Sequence, residues 1–247
     1  MKTFKKMLKV EAVLSLRDMN MLIFAIIMPL VVMIIVGIIY GRKPAFDGAE
    51  YTFLEQSFGA MSSIAILAGG TMGLPILVSD YRERKILKRF KVTPISPAMI
   101  LAVQVTIYSM YSACSLLMLW IVAKLFFGFK MHGSWIAFLG GWLMVLVSML
   151  SIGMMVGGIA KNSKRAGIIA SLLYFPMLIF SGATLPYEIM PRPLQIFSDI
   201  LPMTQGIKLL KAASLGLPLD SALVPIVVIM ILALVCIGVS LKAFKWE

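Results

Sequence analysis

Six long runs without a charged residue constrain this chain more than any other feature: residues 21–40, 56–79, 98–123, 135–160, 166–184 and 221–241. At 1.5 Å of rise per residue, about 20 residues of helix cross a hydrocarbon core roughly 30 Å thick. A helix satisfies its own backbone groups there, which an open strand cannot do. Of the 247 residues 60% are hydrophobic and only 14% charged, against about 25% charged in soluble domains. The expected fold class is therefore an all-α integral membrane protein, one domain over residues 1–247, with six transmembrane helices. Pro29 and Pro75 fall inside the first two runs and are expected to bend them. Gly69, Gly70 and Gly73, and the pair Gly153 and Gly157, suit close approach of helix backbones.

The segments between the runs carry the charge. In residues 1–20, Phe4, Met7, Leu8 and Ala12 recur at helical spacing among Lys2, Lys5, Lys6 and Lys9. This pattern predicts an amphipathic helix lying in the membrane interface. No small-residue cleavage site follows it, so it reads as a retained segment. Residues 185–220 are apolar but broken by Pro186, Pro191, Pro193, Pro202 and Pro218. No piece is long enough to span, which predicts short re-entrant or surface helices. Residues 80–97 hold Arg82, Arg84, Lys85, Lys88, Arg89 and Lys91 against Asp80 and Glu83. Such a stretch must be an excursion into water between the second and third spans. It is either a loop that only fixes topology or a handle for a soluble partner.

The net charge of +12 would suggest nucleic acid in a soluble protein. Here the charge lies in loops, so it sets orientation and attracts anionic lipid, and no nucleic-acid partner is expected. The two tails with 80–97 and 161–165 carry more than twice the Lys and Arg of the other three loops. The positive-inside bias then places both termini and the basic excursion in the cytoplasm of a multi-pass cell-membrane protein, and 185–220 outside.

Several chemistries lack their residues. No ionisable group sits mid-run to relay protons or couple ions. No phosphate-cradling GxxxxGK[ST] and no HExxH occurs. Cys114 and Cys236 both lie inside apolar runs, which indicates neither a disulfide framework nor a zinc site. His132 reads as a solvated loop residue. No catalytic residue, metal site or cofactor is therefore expected. On the third span Gln104, Tyr108, Tyr111, Ser112 and Ser115 share one face; they serve interhelical hydrogen bonding or line a substrate path together with Tyr174.

The order of residues in the basic excursion then becomes informative. Arg82-Glu83-Arg84, Leu87, Arg89 and Thr93-Pro94-Ile95-Ser96 resemble the cytoplasmic loop of the ABC-2 type transporter permeases, which reads RERGTLERLxxTPxS. Ser181-Gly182-Ala183-Thr184-Leu185-Pro186, with Glu188, Ile189 and Pro191, resembles that family's segment after the fifth span. Leu201-Pro202-Met203-Thr204 resembles its NPLT segment. The chain departs from the pattern at Lys85-Ile86, where the family has Gly-Thr, at Lys88, where it has Glu, and at Leu201, where it has Asn.

The resemblance implies a permease that pairs with a second copy or a paralogue and with two separate ATP-binding subunits, which hold the ATP and Mg. The segment from Arg82 to Phe90 would be a coupling helix seated in the ATP-binding subunit. Arg82, Glu83, Arg84, Leu87, Lys88, Arg89, Phe90, Thr93 and Pro94 would make that contact. Ser181, Gly182, Pro186, Glu188 and Pro202 would belong to an external gate. The apolar spans point to export of an amphipathic drug, a peptide antibiotic or a lipid-like molecule, and so to efflux and antibiotic resistance. Polysaccharide or sodium export, an ATP-independent channel or carrier, and a membrane enzyme or ligand-binding protein are the alternatives.

Overall fold

The computed structural model describes residues 2–17, 19–41, 43–86, 96–185, 187–218 and 220–243. Among the described residues six helices are long and apolar enough to cross a membrane: Ile23–Tyr40, Phe53–Glu83, Ala98–Phe127, Trp135–Ile159, Ser163–Phe180 and Ser221–Lys242. A further helix, Lys2–Ser15, precedes them. A 3-10 turn, Tyr187–Ile189, and two short helices, Arg192–Ile200 and Pro202–Leu215, lie between the fifth and sixth spans. Among the described residues no strand forms, and the only bridge is between Pro44 and Thr52.

Capping chemistry moves several ends away from the limits of the uncharged runs. The second span begins before residue 56 because Thr52 and Glu55 form a reciprocal capping box. The Thr52 N–H donates to Glu55 Oε2 at 2.8 Å, and the Glu55 N–H donates to Thr52 Oγ1 at 3.2 Å. The same helix runs on through Asp80 to Glu83, where water can solvate its charges. The fifth span starts at Ser163 rather than 166, because the Asn162 side chain accepts from the Arg165 N–H at 2.9 Å. The third span ends at Phe127, four residues beyond its run, with Gly128 left-handed at φ 68°.

Pro29 and Pro75 have a more specific effect than a kink. Each follows a short π-helical segment, Ile23–Ile27 and Ala68–Gly73. Proline lacks the N–H for the carbonyl four residues back and clashes with it. A wider turn just ahead absorbs that mismatch while the helix stays continuous. In the second segment Thr71 Oγ1 donates to the Leu67 carbonyl at 2.8 Å, which anchors the wide turn internally.

The second span is the most enclosed of the six, and the first, fifth and sixth are the least. Its partner on one side is the fourth span, and glycines let the two backbones touch. A methyl group added at Gly153 would lie 2.0 Å from the Gly70 carbonyl oxygen. One added at Gly157 would lie 3.0 Å from the Pro75 carbonyl oxygen and 2.8 Å from Val78 Cβ. Large side chains close the core around this seam, among them Phe58, Phe138, Leu67 and Met149, all fully buried. The Phe58 ring also lies against Phe129 of the 128–134 connection, tilted by 32° with centroids 4.3 Å apart.

The N-terminal helix packs Phe4, Met7 and Leu8 against Val103, Ile107 and Tyr111 of the third span. Lys5, Lys6 and Lys9 remain exposed. The 128–134 connection is tied to the helix Pro202–Leu215 by a Gly133 N–H to Ser214 carbonyl bond of 2.9 Å.

Overpacking a tight interior contact costs about 1–3 kcal/mol. Gly153→Ala is therefore expected to lower stability by roughly that amount in detergent unfolding followed by circular dichroism. Gly140→Ala, where an added methyl meets nothing within 4 Å, should leave stability unchanged or raise it by up to about 1 kcal/mol, since Ala suits a helix interior better than Gly.

Candidate functional site

At the end of the bundle where the basic excursion begins, two adjacent residues of the second span grip two other spans. The Arg82 Nη1 group donates to the carbonyls of Gly157, Gly158 and Ala160, all within 3.1 Å. These carbonyls belong to the terminal turn of the fourth span, which ends at Ile159. The last carbonyls of a helix lack intrahelical donors and carry its negative pole, so a guanidinium is the matching group. Glu83 Oε2 accepts from the Ser163 N–H at 2.9 Å and from its hydroxyl at 2.7 Å. Ser163 opens the fifth span, whose first N–H groups form the positive pole, so a carboxylate is the matching group. Neighbouring side chains of opposite sign thus clamp opposite helix poles across one short turn.

Arg84 stands apart from this clamp. Its Nε lies 2.8 Å from Asp80 Oδ1, an exposed pair one helical turn apart, of a kind worth about 0–1 kcal/mol. The helix stops as Lys85 turns left-handed at φ 54°. That is the position where the RERGTLERLxxTPxS pattern carries Gly, and a left-handed turn is the reason Gly suits it. Leu87, Lys88, Arg89, Phe90, Thr93 and Pro94 lie outside the described residues. Further along the chain the Ser96 hydroxyl accepts from the Met99 N–H at 3.2 Å and caps the third span.

On the polar face of the third span, Gln104, Tyr108 and Tyr111 make contacts within the chain. Gln104 Nε2 donates to Glu11 Oε2 at 2.9 Å and to the Tyr81 hydroxyl at 3.1 Å. It thereby ties the N-terminal helix, the second span and the third span together just above the clamp. The Tyr111 hydroxyl donates to Ser15 Oγ at 3.2 Å. The Tyr108 ring covers Gly69 and Gly73; a methyl at Gly73 would lie 2.7 Å from it. Ser112 and Ser115 are buried. Tyr174 is buried in the fifth span, edge-on to Phe175 at 5.3 Å.

At the opposite end, the segment after the fifth span folds back on it. Ser181 is buried, and Gly182 takes φ 94°. The Ser198 hydroxyl donates to the Phe180 carbonyl and lies 3.1 Å from Thr204 Oγ1. Asp199 accepts from Lys208 Nζ at 2.6 Å and from the Tyr187 hydroxyl at 3.1 Å. Burial, then the bond to Asp199, raises the Tyr187 hydroxyl above the usual tyrosine range. Pro202 is the first residue of its helix, where its missing N–H costs nothing. Glu188 falls in the 3-10 turn, and Pro186 lies outside the described residues.

Sequence reasoning missed one group here. Glu55, read from the sequence as part of a polar loop, is 6% exposed. Its carboxylate accepts from the Lys130 N–H at 3.0 Å and lies 3.3 Å from His132 Nε2. His132, expected to be solvated, keeps about a third of its side chain exposed (34%) and packs edge-on to Tyr51. The T-x-x-E spacing of Thr52 and Glu55 was the available signal.

Six apolar helices with polar contacts gathered at their ends define an integral membrane protein. The chain matches the ABC-2 type transporter family over residues 2–215 and belongs to that family. It is 28% identical to the inner membrane transport permease YhhJ of Escherichia coli (strain K12) over 173 residues, 69% of this chain and 44% of that protein. The protein of the same name from Shigella flexneri matches with the same figures. The match thus extends over less than half the length of these curated relatives.

Removing the guanidinium strands partly buried carbonyls, and hydrogen bonds to charged donors contribute about 1.5–3 kcal/mol. Arg82→Gln should therefore destabilise the 157–163 turn by about that amount, read as faster amide exchange there while the Ser134–Phe138 turn is unaffected. Lys85→Gly should raise overall stability by about 1 kcal/mol, the usual cost of a left-handed non-glycine residue, measured by the same unfolding transition as Gly153→Ala.

Proposed function

We propose that this chain is the permease subunit of an ATP-driven exporter, moved by a separate ATP-binding subunit that holds the ATP and Mg. The observation that carries this reading is the clamp of Arg82 and Glu83 on the turn between the fourth and fifth spans. A soluble subunit that pushed on the excursion after Lys85 would push on the second, fourth and fifth spans as one body. Rigid elements held in this way can pass a closure at one end into a rearrangement at the other. The link from Gln104 to Glu11 and Tyr81 would carry the same displacement to the third span and the N-terminal helix.

In this reading the basic excursion is a coupling helix on the cytoplasmic side. Leu87 and Phe90 are its buried anchors, and Arg84, Lys88 and Arg89 its polar rim. Thr93 and Pro94 belong to the same contact with the ATP-binding subunit. The N-terminal helix lies in the cytoplasmic interface, where Lys5, Lys6 and Lys9 meet anionic headgroups. A second copy or a paralogue completes the pathway. Ser181, Gly182, Pro186, Glu188 and Pro202 belong to a gate at the outer end, and Gln104, Tyr108, Tyr111, Ser112, Ser115 and Tyr174 to the walls that move with it. The cargo is an amphipathic drug, antibiotic or lipid-like molecule, because the spans are apolar and the family's drive comes from outside the chain.

Copurification with an ATP-binding subunit encoded beside it, followed by ATP-dependent transport into inverted vesicles, tests this. Arg84→Glu combined with Phe90→Glu should abolish both complex formation and transport while the permease still inserts. Retention of both activities in that variant would remove the coupling assignment. Flux by the isolated chain under an ion gradient would remove the exporter reading itself.

A further inference from the structure

An open groove of about 400 Å3 runs between the third and fourth spans. Leu116, Leu117 and Leu139 form its aliphatic walls, and Trp120, Trp135 and Trp142 its aromatic ones. Three of the chain's four tryptophans thus meet in one place. Among the described residues no charged group and no hydroxyl lines it. The Trp135 ring stands edge-on to Trp120, with centroids 6.0 Å apart. One turn beyond Trp120, Lys124 leans back over that ring, its Nζ 5.0 Å from the centroid. Lys124 is exposed, and among the described residues no carboxylate pairs with it.

The chemistry of an occupant follows from these walls. Water in the groove would find no polar group to bond to. An unfilled groove would forfeit dispersion contacts along its length. An aliphatic chain meets both conditions. At the mouth, an ammonium over a tryptophan face keeps N–H groups to donate, and an oxyanion is the strongest acceptor for them. Eleven residues of helix separate Lys124 from Ala113 at the inner end of the groove. That is about 16 Å at 1.5 Å of rise, close to one leaflet of a core roughly 30 Å thick. An acyl chain and its headgroup are spaced in this way. A zwitterionic head brings its own cation to Lys124 and offsets the attraction, whereas an anionic head does not.

We propose that the groove holds one phospholipid of the surrounding bilayer, its acyl chain along Leu116, Leu117 and Leu139 and its anionic headgroup on Lys124. Such a lipid splints the third span to the fourth at the end of the bundle opposite the Arg82 clamp. The proposal requires only that the spans lie in a membrane and does not depend on the exporter reading. Its test therefore uses no ATP-binding subunit.

The full chain carrying Trp246→Phe, so that every remaining tryptophan lines the groove, is placed in bilayers that mix phosphatidylglycerol with phosphatidylcholine. One lipid at a time carries brominated acyl chains, which quench tryptophan fluorescence on contact. Brominated phosphatidylglycerol should quench as though it bound about fivefold more tightly than brominated phosphatidylcholine, as expected for one lysine beside an anionic headgroup. Lys124→Gln should bring the two lipids level, and Lys124→Arg should keep the preference. Ala113→Phe, which fills the inner end of the groove, should lower quenching by both lipids. Ala113 and Lys124 are exposed, and the Lys124 variants keep the test open if Ala113→Phe does not fold. Equal quenching by the two lipids, or a preference that survives Lys124→Gln, would overturn the proposal. Unchanged quenching in a folded Ala113→Phe variant would do the same. A disulfide between two copies through Leu117→Cys, in a chain with Cys114→Ser and Cys236→Ser, would give the groove to a second copy and overturn it as well.

Discussion

Backbone-to-backbone contact between the second and fourth spans is the constraint on which the rest of this structure depends. Helices in lipid gain little from hiding apolar side chains, since the surrounding tails are equally apolar. Association must come from close packing and polar contacts. Gly70, Gly153 and Gly157 remove the side chains that would hold the two helices apart. Once the helices touch, Arg82 comes within reach of the terminal carbonyls of the fourth span, and Glu83 within reach of Ser163. The polar clamp is a consequence of the apolar seam, and the two reinforce each other at different depths.

Buried hydroxyls inside the spans, such as Ser62, Ser63, Thr71 and Ser151, bond to carbonyls of their own helix, and several polar ties between segments gather at the ends and at one seam. Gln104, Tyr81 and Glu11 form the seam where the N-terminal helix meets the bundle. Glu55 and His132 hold the opposite end, joining the start of the second span to the 128–134 connection. Gly133 extends that connection to Ser214. Each tie crosses between segments far apart in sequence, so a displacement at either end is shared by several spans rather than absorbed in a loop.

Much of this was legible in the residues. The uncharged runs gave six crossings because lipid leaves the backbone few alternatives. Gly153 and Gly157 announced a packing face, and the structure names its partner. The motif order around Arg82 and Ser181 pointed to the ABC-2 type transporters, the family to which the chain belongs. Ends of helices were less legible, since charge was used as a boundary. Asp80 and Glu83 continue a helix because water reaches them, and Glu55 begins one because it caps it. The partners of Arg82 could not be read at all. They are backbone carbonyls about 75 residues away in the chain, and a carbonyl has no letter in a sequence. Prolines were legible as perturbations, though not as wide turns, because the sequence shows the mismatch and not how the helix relaxes.

Those wide turns carry a consequence for the second span. A π segment accommodates one additional residue, which rotates everything beyond it by about 100° relative to a regular helix. Before Ala68 the helix turns Gly59 toward Leu210 of the short helix Pro202–Leu215. Beyond it, Pro75 and Val78 lie against Gly157 of the fourth span. A helical wheel drawn through residue 70 would superimpose two unrelated faces. The hydropathy profile registers a single crossing, whereas the backbone joins two half-helices out of phase, the first turned chiefly toward the helix Pro202–Leu215 and the second chiefly toward the fourth span.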